Sequence, residues 1–242
     1  MEHLDTPQGR RIAYHRTRGQ GTGIVFLGGF KSDMEGSKAL HLEQVAKELG
    51  RPYLRFDYSG HGASSGRFED GAIGDWREDA EAALGLTEGP QILVGSSMGG
   101  WITLLLARRM PERVAGLVLI APAPDFTEDG YWAGFDEMHR GALMRDGVVH
   151  VPSDYGEPYP ITRRLIEQGR EELVLRGPLP LPFPVRILIG TADEAVPVDW
   201  VLRLMSHADG PDMRATLVKD ADHRFSEPRE LALIEEAVLG IG

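Results

Sequence analysis

The feature that most limits how this chain can fold is an alternation. Short, nearly continuous apolar runs are separated by helix-length segments. The runs are Ile24–Leu27, Tyr53–Phe56, Ile92–Val94, Leu117–Ala121, Val185–Ile189 and Ala215–Val218. A strand with one face in water alternates apolar and polar residues, whereas an unbroken run suits a strand buried on both faces, and hence a mostly parallel sheet. Helices are expected near residues 36–49, 73–86, 98–109, 197–207 and 227–239. Pro111 stops the third. Ser226 is the expected N-cap of the last, with Pro228 close behind. Strand, helix, strand in this order builds right-handed crossovers with helices on both faces of the sheet. A hairpin near residues 2–17, turning at Gly9, adds antiparallel edge strands. The expected fold class is α/β, as one domain over residues 1–242.

Residues 125–184 break the rhythm, with two clusters of Gly and Pro, several aromatics and one clear helix from Ile161 to about Leu175. A segment this long between core strands is usually functional. It is expected to lie over the strand ends as a lid.

The pattern Gly-x-Ser-x-Gly occurs twice, at Gly62–Gly66 around Ser64 and at Gly95–Gly99 around Ser97. Context separates the copies. A nucleophile elbow joins a strand directly to a helix, which leaves the serine hydroxyl exposed at the carboxyl edge of the sheet. Ile92–Val94 enters the second copy and the apolar helical run Trp101–Leu106 leaves it. The first copy follows Asp57-Tyr58-Ser59-Gly60-His61 and reads as a Gly-rich loop. Ser97 is the expected nucleophile.

A serine hydroxyl needs a base to take its proton. Of eight histidines, only His139, His150, His207 and His223 follow Ser97, as they would in the chain order Ser, acid, His that accompanies a strand-to-helix elbow of this kind. The first two fall in the lid and His207 near a helix end. His223 lies in the loop after the last strand, and is the expected base. Asp193, reached from the strand Val185–Ile189 through Gly190, Thr191 and Ala192, is the expected acid. Asp125 ranks second, and Glu194 and Asp222 are further rivals. Backbone N–H groups of Met98 and Phe30 are the expected oxyanion donors. Phe30, Met98 and Trp101, with Trp132, Phe135, Tyr155 and Tyr159 from the lid, are candidate substrate contacts. The alternative, that most of these aromatics only pack the lid onto the core, stays open. Lys31 and Arg224 are candidates to meet an anionic substrate group.

With these residues placed, the chain resembles the α/β-hydrolase superfamily from near residue 10 to its end. Within it the chain is similar to the group of α/β-hydrolase domain-containing protein ten. The resemblance rests on Gly29-Phe30-Lys31-Ser32-Asp33-Met34, Arg55-Phe56-Asp57-Tyr58-Ser59-Gly60 and Gly95-Ser96-Ser97-Met98-Gly99-Gly100-Trp101, then Asp193 before Val196-Pro197, and Asp222-His223-Arg224. It implies a Ser–Asp–His esterase or thioesterase acting through an acyl-enzyme, with small-molecule or acyl-protein substrates and no cofactor. The alternatives are a cofactor-free perhydrolase on the same triad and a non-catalytic ligand-binding protein on the same fold. Dehalogenases and epoxide hydrolases of this fold carry a carboxylate where Ser97 stands.

Composition excludes other classes. The net charge is −11 and no dense Lys/Arg run exists, so binding to nucleic acid is not expected. There is no cysteine and no His-x-x-x-His pair, so no metal site is expected. No apolar run reaches the ~20 residues that span a bilayer. The N-terminal residues lack a basic segment followed by an apolar run, and the expected location is cytoplasmic. Oligomeric state is not legible.

Overall fold

The computed structural model describes residues 1–153 and 156–241. Eight strands form one sheet in the order β1-β2-β4-β3-β5-β6-β9-β10. They are β1 (Glu2–Asp5), β2 (Arg11–Thr17), β3 (Ile24–Leu27), β4 (Tyr53–Phe56), β5 (Gln91–Ser96), β6 (Val114–Ile120), β9 (Val185–Gly190) and β10 (Met213–Val218). The β1–β2 and β2–β4 pairs are antiparallel and all others parallel. The mostly parallel sheet and the edge hairpin are therefore as expected, with Gly9 at φ 80° in the turn.

Alternate residues of each inner strand feed two helix layers, as the two-residue period of a strand requires. Ile24 and Phe26, Ile92 and Val94, and Val118 and Ile120 pack with Ala39, Leu42 and Ala46 of α1 (Ser37–Glu48) and with Ile234 and Val238 of α7 (Pro228–Leu239). Val25 and Leu27, Leu93, and Leu117 and Leu119 face the opposite layer. That layer holds α2 (Ile73–Leu84), α3 (Met98–Arg109) and α6 (Val198–His207). Both faces are covered, so the strand runs are apolar throughout. The helix limits lie close to those expected, and α3 ends just before Pro111. The N-cap of α7 is Glu227 rather than Ser226. Its backbone N–H donates to the Glu230 carboxylate in a capping box, which Ser226 lacks a partner to form.

The segment between β6 and β9 differs from its expected form. Tyr159–Thr162 is strand β8, paired antiparallel with β7 (Val148–Val151). The expected helix from Ile161 shrinks to α5 (Arg163–Gly169) and a 3-10 turn. A further helix, α4 (Glu137–Asp146), and a π-helical stretch at Thr127–Trp132 complete it. The α4 sequence buries only Leu143, so no apolar stripe announced it. Its capping is local, with Asp136 accepting the His139 N–H at one end and Gly147 left-handed at the other.

Two buried side chains hold loops at the carboxyl edge of the sheet. Asp125, fully buried at φ 59°, accepts the N–H groups of Val174 and Leu175 at 2.8 and 3.0 Å and pairs with Arg176. It staples the two ends of the inserted segment together. His61, 4% exposed, donates from Nδ1 to the Ser59 carbonyl and accepts the Lys31 N–H. Burial pushes its pKa down from 6.5 to about 4.

Two stability predictions follow from these contacts. Asp125→Ala leaves two buried N–H groups without acceptors and is expected to cost about 2–5 kcal/mol in urea unfolding. A loss below about 0.5 kcal/mol would remove the staple. For His61 the folded pKa lies below the unfolded one, so the unfolded state binds the proton first. Its stabilisation is complete above pH 6.5 and is lost as pH falls toward 4. At about 1.4 kcal/mol per pH unit this span amounts to roughly 3 kcal/mol. The stability gap between the wild type and His61→Gln is expected to shrink by about that much from pH 7 to 4. A gap independent of pH contradicts it.

Candidate active site

Ser97 follows β5 immediately and precedes the first residue of α3, at φ 54° and ψ −116°. A residue held in so sparsely populated a backbone region costs about 1–3 kcal/mol, so the neighbours must enforce it. They do so by close approach. A Cβ on Gly99 would lie 2.1 Å from the Leu27 carbonyl oxygen, and one on Gly95 would lie 2.4 Å from that of Gly99. Only glycine allows β3, β5 and α3 to meet so tightly. The Ser97 N–H donates to Ile120 O at 2.9 Å and its carbonyl accepts the Ala123 N–H at 3.1 Å. The serine is thus fixed to the ends of three elements.

Asp193 stands in the loop after β9 and His223 in the loop after β10. The loops are tied by Ala192 N–H to Ala221 O at 3.0 Å and Asp220 N–H to the Thr191 hydroxyl at 2.9 Å. Phe225, fully buried at φ 48°, anchors the far side of the histidine loop. His223 Nε2 lies 3.1 Å from Ser97 Oγ, and His223 Nδ1 lies 2.8 Å from Asp193 Oδ2. A carboxylate accepts, so Nδ1 carries the proton and Nε2 presents its lone pair to the serine hydroxyl. Asp193 Oδ1 accepts the N–H groups of Ala195 and Val196 at 2.9 and 2.8 Å. Its side chain is fully buried and cannot rotate away without breaking both bonds. The rival Asp125 is committed to Val174 and Leu175, and Ser64 Oγ donates to Asp57 O while accepting the Ala13 N–H. Neither touches His223 or Ser97.

Gly29 packs against Ser97, its hypothetical Cβ 3.5 Å from that of the serine. The following residue, Phe30, and Met98 both line the cleft above Ser97. Among the described residues, no protein group accepts the N–H of Phe30 or Met98. Two adjacent donors beside an activated hydroxyl suit an oxygen that gains negative charge.

The cleft has a volume of about 700 Å³ and includes Phe30, Met98, Phe126, Tyr131, Tyr159 and Trp200 in its walls. Lys31 and Arg224 reach its rim. Of the expected substrate contacts, Phe30, Met98, Tyr159, Lys31 and Arg224 are there. Trp101 is not: it is fully buried and its Nε1–H donates to the Glu172 carbonyl at 3.1 Å. Trp132 is packed between the guanidinium groups of Arg140 and Arg170, 5.1 and 4.7 Å from its ring, and lies outside the cleft lining. Phe135 is buried against Tyr131 and His139. Tyr155 lies outside the described residues. Sequence reasoning missed Phe126, Tyr131 and Trp200. The π-helical stretch that carries Tyr131 has no period to read, and Trp200 of α6 lines the cleft beside Gly130, whose Cβ would lie 3.1 Å from the Trp200 ring. The described residues contain no group of three or more potential metal ligands.

A sequence model of the alpha/beta hydrolase family matches residues 24–233. The palmitoyl-protein thioesterase ABHD10, mitochondrial, of Rattus norvegicus is 37% identical over 237 residues, covering 97% of this chain and 80% of that protein. The crystal structure of a putative hydrolase from Agrobacterium vitis S4 superposes with a TM-score of 0.96 at 40% identity, over 99% of this chain and 97% of that one. Alpha/beta hydrolase domain-containing protein 10 from mouse gives a TM-score of 0.91 at 34% identity, over 100% and 99% of the two chains. On sequence and on structure alike, this chain belongs to the alpha/beta hydrolase family.

Proposed function

We propose that the protein is a serine esterase or thioesterase that cleaves acyl esters or thioesters through an acyl-enzyme on Ser97. The observation that carries this reading is the chain of contacts Ser97 Oγ–His223 Nε2 and His223 Nδ1–Asp193 Oδ2, at 3.1 and 2.8 Å. As Ser97 Oγ bonds to the substrate carbonyl carbon, His223 takes its proton and Asp193 stabilises the imidazolium. The carbonyl electron pair moves onto oxygen, facing the N–H groups of Phe30 and Met98. Collapse breaks the bond to the alcohol or thiol, which leaves with the proton from His223. Water then repeats the sequence on the acyl-serine and releases the acid.

The cleft supports acyl or aromatic substrates, because aromatic side chains form much of its wall and polar groups gather around Ser97. The thioesterase name of the rat relative supports thioesters as one class. A chain without cysteine carries no thiol of its own to exchange acyl groups with such a substrate. It also functions unchanged in a reducing compartment, which fits a cytoplasmic location. No helix of the described residues is long and apolar enough to cross a membrane. The segment between β6 and β9 acts as the lid of this single catalytic domain. Lys31, 5.7 Å from the Tyr159 ring, meets an anionic group on the substrate.

Fluorophosphonate is expected to label the wild type at one site and to leave Ser97→Ala unlabelled. The same substitution is expected to reduce ester and thioester turnover by about 10⁴-fold or more. Retained labelling in Ser97→Ala would end the nucleophile assignment. In a panel of paired neutral and carboxylate-bearing esters, Lys31→Ala is expected to raise KM for the anionic members about 5- to 10-fold, or about 1 kcal/mol. Equal effects on both sets would remove the role of Lys31.

A further inference from the structure

The loop that carries the unused Gly-x-Ser-x-Gly copy lies against the segment after β3. We infer that His61 is a positioning residue for the oxyanion site: its neutral imidazole accepts the Lys31 N–H and so fixes the turn that presents the Phe30 N–H to a carbonyl on Ser97. This rests on the assignment of Ser97 as the nucleophile and of Phe30 as a donor.

The turn needs an external hold. Ser32 N–H donates to Gly29 O at 3.2 Å, which closes a four-residue turn with Phe30 and Lys31 at its centre. Lys31 has φ 54°, a region that L-residues other than Asn and Asp seldom enter. Nothing in a lysine side chain favours that conformation, and rotating the Phe30–Lys31 peptide would relieve it. The Lys31 N–H belongs to that peptide, and His61 Nε2 stands 3.3 Å from it.

The ring is set up to accept and not to donate there. His61 Nδ1 lies 3.2 Å from the Ser59 carbonyl oxygen. A carbonyl only accepts, so the proton is on Nδ1 and Nε2 is bare. Burial, together with the nearby Lys31 ammonium, holds the ring neutral, with its pKa lowered to about 4. Ser59 is itself fixed, its N–H and hydroxyl both donating to Asp79 Oδ2 at 2.8 and 2.6 Å, while Asp79 Oδ1 accepts from Arg10 at 2.6 Å. The rings of Phe68 and Trp76 pack edge-on against both His61 and Phe30. A second tether lies four residues away in the same loop. Asp57 accepts the Met34 N–H at 2.6 Å and the Ala63 N–H at 2.8 Å. The stretch from Gly29 to Met34 is therefore held from the 57–63 loop at two points.

The test compares two polar replacements. A Gln oxygen reaches roughly where Nε2 was, whereas Asn ends at the Nδ1 position and cannot reach Lys31. With a p-nitrophenyl ester, His61→Asn is expected to lower kcat about 10²-fold with KM within about twofold, the pattern of an interaction made only in the transition state. His61→Gln is expected to stay within about 10-fold of the wild type. Affinity for a trifluoromethyl ketone, which forms a tetrahedral adduct on the serine, should fall in parallel with kcat/KM across the series. Equal losses in Asn and Gln variants, or a ketone affinity that does not follow kcat/KM, would overturn the role of His61. A second measurement needs no variant: the wild-type Lys31 amide is expected to exchange its hydrogen at least about 10-fold more slowly than an open loop amide. Open-loop exchange overturns the contact. Fluorophosphonate labelling of the wild type keeps the two claims apart. Absence of labelling at Ser97 defeats the parent reading, whereas normal labelling with an unimpaired Asn variant defeats only this one.

Discussion

Ser97 occupies a sparsely populated backbone conformation that costs about 1–3 kcal/mol, and the rest of the site depends on that conformation persisting. At φ 54° and ψ −116° the chain turns from β5 into α3 within one residue. The hydroxyl then stands clear of both elements, and the N–H of Met98 is left without an intrahelical partner at the helix start. The strain survives because relaxing it would separate elements that are in contact through glycine backbones, at Gly95 and Gly99. Strained residues gather where the surrounding structure over-determines them, and here the determinants are three parallel strand ends. The parallel sheet is thus more than a scaffold. It brings the ends of β3, β5, β9 and β10 to one edge, so Phe30, Ser97, Asp193 and His223 arrive together from distant parts of the chain.

Loops at that edge share one device. A carboxylate, buried by the packing around it, accepts backbone N–H groups from a loop that would otherwise wander. Asp57 takes Met34 and Ala63, Asp79 takes Ser59, Asp125 takes Val174 and Leu175, and Asp193 takes Ala195 and Val196. Burial raises the pKa of Asp57, Asp79 and Asp125 while these hydrogen bonds lower it. The arrangement is a compromise between desolvation and satisfied acceptors. Asp193 differs in what its second oxygen meets: Asp79 turns its own to the Arg10 guanidinium, whereas Asp193 turns Oδ2 to the His223 imidazole. A loop clamp with a spare oxygen is what an orienting acid requires, so the acid reads as the structural device put to further use.

How much of this was legible in the sequence follows the same physics. Inner strands and the helices of the two layers were readable because burial on both faces writes itself as unbroken apolar runs and helix-period stripes. The proposal of Ser97 over Ser64 rests on what precedes and follows each copy. The inserted segment was not readable. Helix α4 buries only Leu143, the π-helical stretch at Thr127–Trp132 follows no period, and β8 occupies Ile161 and Thr162, where a helix was expected to begin. Such elements are set by tertiary contacts, such as those of Asp129 with Arg176 and Arg203, that join residues far apart in sequence. The same reason explains Trp101 and Trp132. Aromatic character near the motif marked them as candidates, but which side of a wall a ring faces is decided by packing that one sequence does not record.

Phe30 joins these threads, because its ring lines the cleft and its backbone N–H is the proposed oxyanion donor. The ring lies within 4.8–6.4 Å of Phe68, Trp76, Phe126, Tyr131 and Tyr159, centroid to centroid. These partners come from the 3-10 turn before α2, from α2 itself, and from the inserted segment. In the proposed mechanism, an acyl group entering among them presses on the ring of the residue whose backbone N–H faces the oxyanion. That mechanism would couple binding of the acyl chain to the geometry of the oxyanion site. A wall residue such as Tyr159 influences the reaction twice, once through apolar contact in the ground state and again through the donor position in the transition state. Trimming the wall should consequently lower kcat as well as raise KM, since a donor misplaced by even 1 Å forfeits much of its catalytic worth. The acyl preference of the enzyme then reflects both how well a chain fits the rings and how well the occupied rings hold Phe30 in place.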